Sequence, residues 1–289
     1  MGLPISFEAP TALEYFAALV AEDSSLPLLE AAITVALDDA PGLDVQAVLA
    51  HIDSLGERLR RRIPADAGAL QRLRLLNTYF FHELGFAGNV NDYYDRRNSY
   101  LHEVLHTRRG IPITLALLYI EIASQAGLTA CGVSFPGHFL ARLRLPRGEV
   151  FIDPFSGNSL SRNALAERLL PPAHVGMNSA EEEALLLVLL RPATAREVVA
   201  RLLRNLQAVH QAGSDWHRLC AVLQRLVVLL PQSWEERREL ALAWAAVGEP
   251  GRAAQDLALY LQQRPACEDA LALQRQVLTW RQEASQGSR

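Results

Sequence analysis

The chain has 289 residues, of which about half are apolar, and a formal net charge of −4 at pH 7. This length predicts two domains, one with a substantial core and one smaller. The chain lacks the basic field by which proteins hold a nucleic-acid backbone, so we exclude nucleic acid as the main partner. All 28 basic residues are arginine, which excludes a lysine nucleophile or Schiff base.

The cysteines and the apolar runs indicate the compartment. Three cysteines occur far apart, without a CxxC pair, which argues against a disulfide framework or a structural zinc site: Cys131, Cys220 and Cys267. The apolar runs are shorter than a membrane span, and the N-terminus shows no cleavage-site pattern. We therefore expect a cytoplasmic protein with no cofactor and no membrane contact.

The N-terminal region is predicted to be helical. From Thr11 to Glu83, apolar residues recur at spacings of three and four, and prolines interrupt the pattern, which predicts four helices. Residues 85–95 are rich in Gly and Asn and predict a loop. A short helix capped by Asn98 or Ser99 is expected to follow it.

The middle of the chain predicts a helix packed on a sheet. Residues 112–126 are nearly all apolar, so this helix should be buried on most sides, with Pro112 suited to its first position. Short β segments follow at 129–134, 138–145 and 149–152, the last two joined by a hairpin turn. The predicted fold class is α+β, with a small antiparallel sheet on a central buried helix.

Beyond Pro192 the chain is predicted to be all helical. Pro231 and Pro265 stand 34 residues apart, which is the tetratricopeptide period. The residues that fit the packing positions of the second repeat are Leu240, Ala241, Trp244, Gly248, Ala253 and Leu257. A weaker first repeat places Leu206, Leu223 and Leu226 in packing positions, and residues 266–283 would cap the array.

Two short motifs after the apolar helix carry the candidate chemistry. His138 ends the run Phe135-Pro136-Gly137-His138, and Asp153 lies in Phe151-Ile152-Asp153-Pro154. A helix followed by a strand with His and a strand with Asp resembles the transglutaminase-like superfamily. In that superfamily a cysteine begins the helix, where the helix dipole and the His lower its pKa. An alignment on Gly127-Leu128 puts Pro112 at the cysteine position, and a proline cannot attack a carbonyl.

Further motifs look like the SirB-type branch of that superfamily: Asn91-Asp92-Tyr93-Tyr94, Asn98-Ser99, Arg109-Gly110-Ile111-Pro112, Phe135-Pro136-Gly137-His138-Phe139 and Asp153-Pro154-Phe155. The resemblance covers almost the whole chain. It implies a bacterial protein with a transglutaminase/papain-like domain at 1–190, made of a helical lead-in at 1–84 and a core at 85–170. Tetratricopeptide-like helices at 191–289 would follow. The branch has no well-established catalytic activity.

Other residues near the pair have competing interpretations. Cys131 lies seven residues before His138, where it is a weak candidate nucleophile and more typically a small hydrophobe. Thr114 is expected to bond back to the helix backbone. The structural interpretation of His138 is a turn whose imidazole hydrogen-bonds Asp153 across neighbouring strands. The pair could also bind a small anion or a peptide carboxylate.

A rival motif is the literal HExxH sequence His102-Glu103-Val104-Leu105-His106, which in zinc peptidases supplies two metal ligands and a general base. Gly110 and Pro112 end its helix almost at once, and no third ligand follows at the usual spacing. We interpret the segment as a half-exposed amphipathic helix and expect no metal there.

We predict a pseudoenzyme, a non-catalytic protein- or peptide-interaction module that uses the tetratricopeptide-like groove, the cleft around His138, or both. The expected binding residues are His138, Asp153, Pro112, Tyr93, Tyr94 and Trp244. The alternative is a thiol- or zinc-dependent hydrolase or peptidase that combines the His138–Asp153 pair with Cys131, or uses the pair His102 and His106 with Glu103.

Overall fold

The computed structural model describes residues 10–169 and 179–287. Backbone contacts divide the chain into two compact units. Among the described residues, the sheet unit contains 28–33, 44–169 and 179–202, and the helical unit contains 10–27, 34–43 and 203–287. The sequence placed all of residues 1–84 with the first domain, whereas the contacts group two of its segments with the C-terminal helices. The limit at residue 190 stays a prediction.

Four α-helices lie in the N-terminal region, as the periodicity predicted: α1 (Ala12–Leu19), α2 (Leu28–Thr34), α3 (Val45–Arg60) and α4 (Ala69–Asn77). Thr11 caps α1, because its hydroxyl accepts from the Glu14 amide and the Glu14 carboxylate accepts from the Thr11 amide. A π-helical segment, Thr78–Glu83, follows α4 directly. No pattern in the sequence predicted this wider turn.

The Gly- and Asn-rich stretch contains a short strand that the sequence did not predict. Strand β1 (Ala87–Gly88) pairs in parallel with β2 (Arg109–Gly110). Between them lies α5 (Leu101–Thr107), which begins after Tyr100 and makes no side-chain cap. The prediction of Asn98 or Ser99 as the cap was therefore wrong, because these residues close a preceding 3-10 turn.

Helix α6 (Pro112–Gln125) is the central buried helix that the apolar run predicted, with Pro112 in its first turn. Its first eight residues, from Pro112 to Tyr119, are all buried. It packs against α3 on one side and against the sheet on another. A helix that buries this much apolar surface anchors the sheet unit.

The main sheet has four antiparallel strands in sequence order: β3 (Thr129–Val133), β4 (Leu140–Leu145), β5 (Gly148–Asp153) and β6 (Asn158–Leu160). The predicted hairpin is present, since β4 and β5 pair with Ala141 opposite Ile152. The prediction of a strand starting at His138 was wrong, because β4 starts at Leu140. Strand β6 was not predicted.

The faces of the sheet carry different layers. On one face, Val133, Leu140 and Phe151 pack in a core cluster with residues of α7 (Arg162–Leu169) and α8 (Ser179–Leu189). On the other face lies α6, and a Cβ on Gly132 would sit 3.8 Å from Ile120. The sheet is thus covered on both faces. A functional site on this sheet is therefore expected at the ends of its strands.

Five helices follow: α9 (Ala195–Ala212), α10 (Trp216–Leu229), α11 (Trp234–Ala246), α12 (Pro250–Gln263) and α13 (Ala270–Gly287). The all-helical prediction is confirmed. In the helical unit, α10 to α13 pack in sequence, and α1 lies against α10. Most of the predicted packing residues are buried there: Leu206, Leu223, Leu226, Leu240, Ala241, Ala253 and Leu257. None of the helices in the described ranges combines the length and hydropathy needed to cross a membrane.

Candidate functional site

His138 lies at the end of a tight turn that brings it to the mouth of the β4–β5 hairpin. The His138 amide donates to the Phe135 carbonyl at 3.1 Å, which closes a four-residue turn. Pro136 and Gly137 occupy its central positions, and Gly137 has φ +67°. A type II turn requires positive φ at its third residue, which explains the Pro-Gly sequence.

The imidazole of His138 is hydrogen-bonded to Asp153, as predicted. The His138 Nε2 to Asp153 Oδ1 distance is 2.7 Å. Asp153 is the last residue of β5, and its carboxylate also accepts from the Phe155 amide at 3.0 Å and from the Ser156 hydroxyl at 2.9 Å. The side chain of Asp153 is only 6% exposed, against 22% for His138. The pair therefore has a buried, fixed end and an accessible end.

The electrostatics of this pair favour a charged Asp153. Burial by itself raises the pKa of Asp153, but the hydrogen bonds from His138, Ser156 and Phe155 together outweigh it and hold the pKa below its ordinary value. A carboxylate accepts hydrogen bonds only, so Nε2 of His138 carries the proton that it shares with Asp153. The Nδ1 atom is left for another group. Such a fixed imidazole can accept a hydrogen bond from a hydroxyl or amide group, or move a proton.

The start of α6 offers no nucleophile. Pro112 is buried there and has neither a side-chain nucleophile nor an amide hydrogen. The Thr114 hydroxyl, two residues further on, donates to the carbonyls of Asn98 at 2.8 Å and Ile111 at 3.0 Å. This confirms the backbone-bonding role predicted for Thr114. The residues that flank Pro112 in sequence are the buried isoleucines Ile111 and Ile113.

The loop with Tyr93 and Tyr94 is held beside the Asp153 turn. The Tyr93 ring lies edge-on to the Phe155 ring, with centroids 5.8 Å apart, and Tyr94 is in edge contact with Tyr93 at 5.2 Å. Tyr93 is 41% exposed and Tyr94 is 76% exposed. Burial raises the pKa of the Tyr93 hydroxyl, Tyr94 adds to this effect, and Arg201 opposes it.

Arg201 of α9 also belongs to this site, and the sequence analysis missed it. Its Nη1 atom donates to the Ser134 hydroxyl at 2.8 Å and to the Phe135 carbonyl at 2.9 Å. Its guanidinium lies over the Phe139 ring at 5.8 Å. Arg201 therefore braces the turn that presents His138. It is 66 residues from Phe135 in sequence and lies in no motif, so no local signal could have identified it.

Cys131 is not placed to serve as the nucleophile of this pair. It pairs with Arg142 across β3 and β4. Leu140, the first residue of β4, is two residues from Arg142, which is about 7 Å along the strand, and His138 is two residues further on. The Cys131 thiol is therefore well beyond hydrogen-bonding reach of the imidazole.

The HExxH segment occupies α5, which has only seven residues and ends at Arg108 in a left-handed conformation. The His102 ring stacks near Tyr100, with centroids 6.0 Å apart. Burial lowers the pKa of His102, and Glu103 opposes this. His106 is exposed. Among residues 10–169 and 179–287, no three His, Cys, Asp or Glu side chains form a group able to hold a metal ion.

Trp244 lies in the helical unit, on α11. Its ring is partly buried and packs against the cluster formed by α11, α12 and α13. The Arg252 guanidinium lies over this ring at 4.7 Å. Stacking of this kind gives Trp244 a packing role within the repeat-like helices.

Comparisons with known proteins agree with this architecture. Residues 46–204 match the transglutaminase-like superfamily, and residues 206–277 match the tetratricopeptide repeat. A UPF0162 protein of Xylella fastidiosa (strain 9a5c) is 37% identical over 246 residues, which cover 85% of this chain and 86% of the relative. A UPF0162 protein of Pseudomonas aeruginosa is 30% identical over 204 residues, covering 71% and 72%.

A shorter part of the chain is similar to a eukaryotic protein. F-box only protein 21 of Homo sapiens is 47% identical over 72 residues, which cover 25% of this chain and 12% of that protein. No solved structure matches the chain. The extent of the family match and of the matches to the bacterial relatives shows that the chain belongs to the transglutaminase-like superfamily, as one of its UPF0162 proteins.

Proposed function

We propose that this protein is a non-catalytic binding protein of the bacterial cytoplasm, of SirB type, which holds a peptide segment of a partner at the His138–Asp153 site. The observation that carries the proposal is the buried Pro112 at the start of α6, where the superfamily pattern requires a thiol. The imidazole next in the pattern is still fixed by a buried carboxylate. A site with its orienting pair and no nucleophile is suited to binding.

The surroundings of the pair support a peptide ligand. Tyr94 and Val90 expose about three quarters of their surface on the loop beside Phe155. Exposed aromatic and apolar side chains next to fixed polar groups are typical of peptide-binding surfaces. The tetratricopeptide-like helices can supply a second contact surface, since such arrays present a groove to extended segments. In this proposal Trp244 supports that groove.

The residues that the hydrolase alternative needs are not placed for its chemistry. Cys131 is separated from His138 along the strand, and the HExxH segment is a short helix with one exposed and one stacked histidine. Site-resolved alkylation at pH 7 tests the thiol directly. A label on Cys131 should form no faster than on an ordinary unfolded thiol.

Photo-crosslinking in a native host tests the binding proposal. The photoreactive residue p-benzoylphenylalanine is placed at Tyr94 on the site loop and, as a control, at Leu70, an exposed position on α4. We expect Tyr94 to capture a discrete polypeptide that Leu70 does not capture, and Asp153→Asn to reduce that capture. Capture no greater at Tyr94 than at Leu70 would overturn the proposal. Cleavage or acyl transfer on the captured polypeptide by the purified protein would overturn it too.

A further inference from the structure

Arg201 is a partly buried arginine without a carboxylate partner in the described residues, as are Arg72, which donates to two backbone carbonyls, and Arg108, which lies over the Phe86 ring. Arg142, Arg225, Arg237 and Arg238 have side chains no more than about a third exposed, and each forms an ion pair with an acid. Arg201 is also partly buried, yet its hydrogen bonds within the described residues go to neutral oxygens. Burial without an acid lowers the pKa of its guanidinium. A desolvated cation without a counter-ion is an open position for an anion.

Two further polar groups of the site have hydrogen-bonding capacity that is not used within the described residues. His138 uses Nε2 for Asp153, and its Nδ1 has no partner in the part of the chain that the structure describes. The Tyr93 hydroxyl likewise has none there, and the charge of Arg201 acts to lower its pKa, against the effect of burial. His138 and Arg201 are also joined through one atom. The Phe135 carbonyl oxygen accepts from both the His138 amide and the Arg201 guanidinium.

We propose that Arg201, together with the Tyr93 hydroxyl, binds the carboxylate of the peptide ligand beside the His138 turn. This inference rests on the proposed function and names the chemical group that the site selects. Only Nη1 of Arg201 is occupied by the turn, so the other guanidinium nitrogens can donate. A guanidinium presents parallel N–H donors that match the two oxygens of a carboxylate.

The charges around the site favour a carboxylate over a phosphate. The Asp153 carboxylate lies one hydrogen bond from His138 and is held in its charged form. This negative charge repels a doubly charged phosphate more strongly than a singly charged carboxylate. Arg201 supplies one positive charge to offset this negative charge. The rings of Tyr93 and Phe155 offer an apolar contact for the side chain next to the carboxylate.

An NMR titration of the full chain tests this inference with defined probes. N-acetylphenylalanine is compared with its amide and with phenyl phosphate, and the signals of Arg201 Nε and the His138 ring are followed. We expect saturable shifts with the free acid and at least tenfold weaker binding of the amide and the phosphate. Arg201→Gln should weaken binding of the acid at least tenfold, and Tyr93→Phe should weaken it several-fold.

The control and a second variant keep the test decisive. Arg144→Gln makes the same charge change at an exposed position on β4 and should leave binding unchanged. If Arg201→Gln loses its fold by circular dichroism, Arg201→Lys keeps the charge without the planar fork and should still weaken binding. Equal affinity for acid and amide, preference for phosphate, or full affinity in a folded Arg201 variant would overturn the inference. Capture at Tyr94 would persist in that case, so the proposed function would stand.

Discussion

In the helical unit, the almost fully buried guanidinium of Arg225 faces Asp38 and lies over the Phe16 ring. In the sheet unit, the guanidinium of Arg201 faces the turn at His138, and no acid pairs with it in the described ranges. The first arrangement pairs the charge with an acid inside the unit, although Nε and Nη2 of Arg225 are buried without a hydrogen bond. The second leaves charge and donors for an external group. At Arg201 we attribute this uncompensated charge to the proposed carboxylate ligand.

The largest expected effect breaks the internal pair of the helical unit. Asp38→Ala leaves the Arg225 guanidinium buried without its acid, so the free energy of unfolding should fall by about 3 kcal/mol. Urea denaturation measures this loss, and Asp66→Ala, at an exposed position, is the matched control. The NMR signals of His138 should be unchanged. A loss below about 1 kcal/mol would mean that Asp38 does not compensate Arg225.

The corresponding change in the sheet unit is Asp153→Asn. It removes the charge that His138, Ser156 and Phe155 all bind, so the free energy of unfolding should fall by about 2 kcal/mol at pH 7. Unlike Asp38→Ala, it should also shift the His138 ring signals. Unchanged ring signals would contradict the role of Asp153 in orienting the imidazole.

The stability advantage that Asp153 provides should depend on pH. Its pKa is lower in the folded state than the unfolded value of about 3.9. Its contribution is therefore present above that unfolded value and is lost as the pH falls through the folded pKa. The difference in unfolding free energy between wild type and Asp153→Asn should shrink as the pH falls below about 4. A difference that grows as the pH falls through about 4 would show that the folded pKa of Asp153 lies above its unfolded value.

A smaller effect is expected where the site loop meets the Asp153 turn. A Cβ on Gly88 would lie 2.4 Å from the Phe155 ring, so Gly88→Ala must displace that ring. We expect a loss of about 1 to 2 kcal/mol and altered Tyr93 signals. Gly42→Ala is the control, because nothing lies within 4 Å of a Cβ at that position. Equal stability of the two variants would show that Phe155 can move without cost.

The smallest expected effect comes from Ser156→Ala, which removes one neutral donor to Asp153 and leaves the other two. The free energy of unfolding should fall by about 1 kcal/mol. Thermal unfolding measures this, and the ring signals of His138 should stay near those of wild type. A loss equal to that of Asp153→Asn would show that Asp153 stabilises the fold through its bond with Ser156 and not through its bond with His138.

The sequence predicted the parts of the fold that leave a periodic or local signature. The apolar run of α6 identified the buried helix, the Pro-Gly pair identified the turn before His138, and the hairpin and repeat-like helices followed from turn signals and spacing. The bond between His138 and Asp153 was predicted because the two motifs fall on adjacent strands.

The remaining features depend on pairings between distant segments. Strands β1 and β2 are two residues each, too short for any alternation, and β6 has only three residues. Arg201 reaches the turn from α9, and α1 groups with the C-terminal helices through Phe16 and Arg225. Nothing local distinguishes these arginines from the many others in the chain. Contacts of this kind are set by packing and not by sequence spacing.

Asn98 has a consequence for how the site meets its ligand. Its side-chain amide donates to the backbone carbonyls of Asp92 and Tyr93. Its backbone carbonyl accepts from the Thr114 hydroxyl at the start of α6. One buried residue thus fastens the aromatic loop to the helix. Because the loop is already ordered, association loses little conformational entropy there, and more of the contact energy remains as affinity.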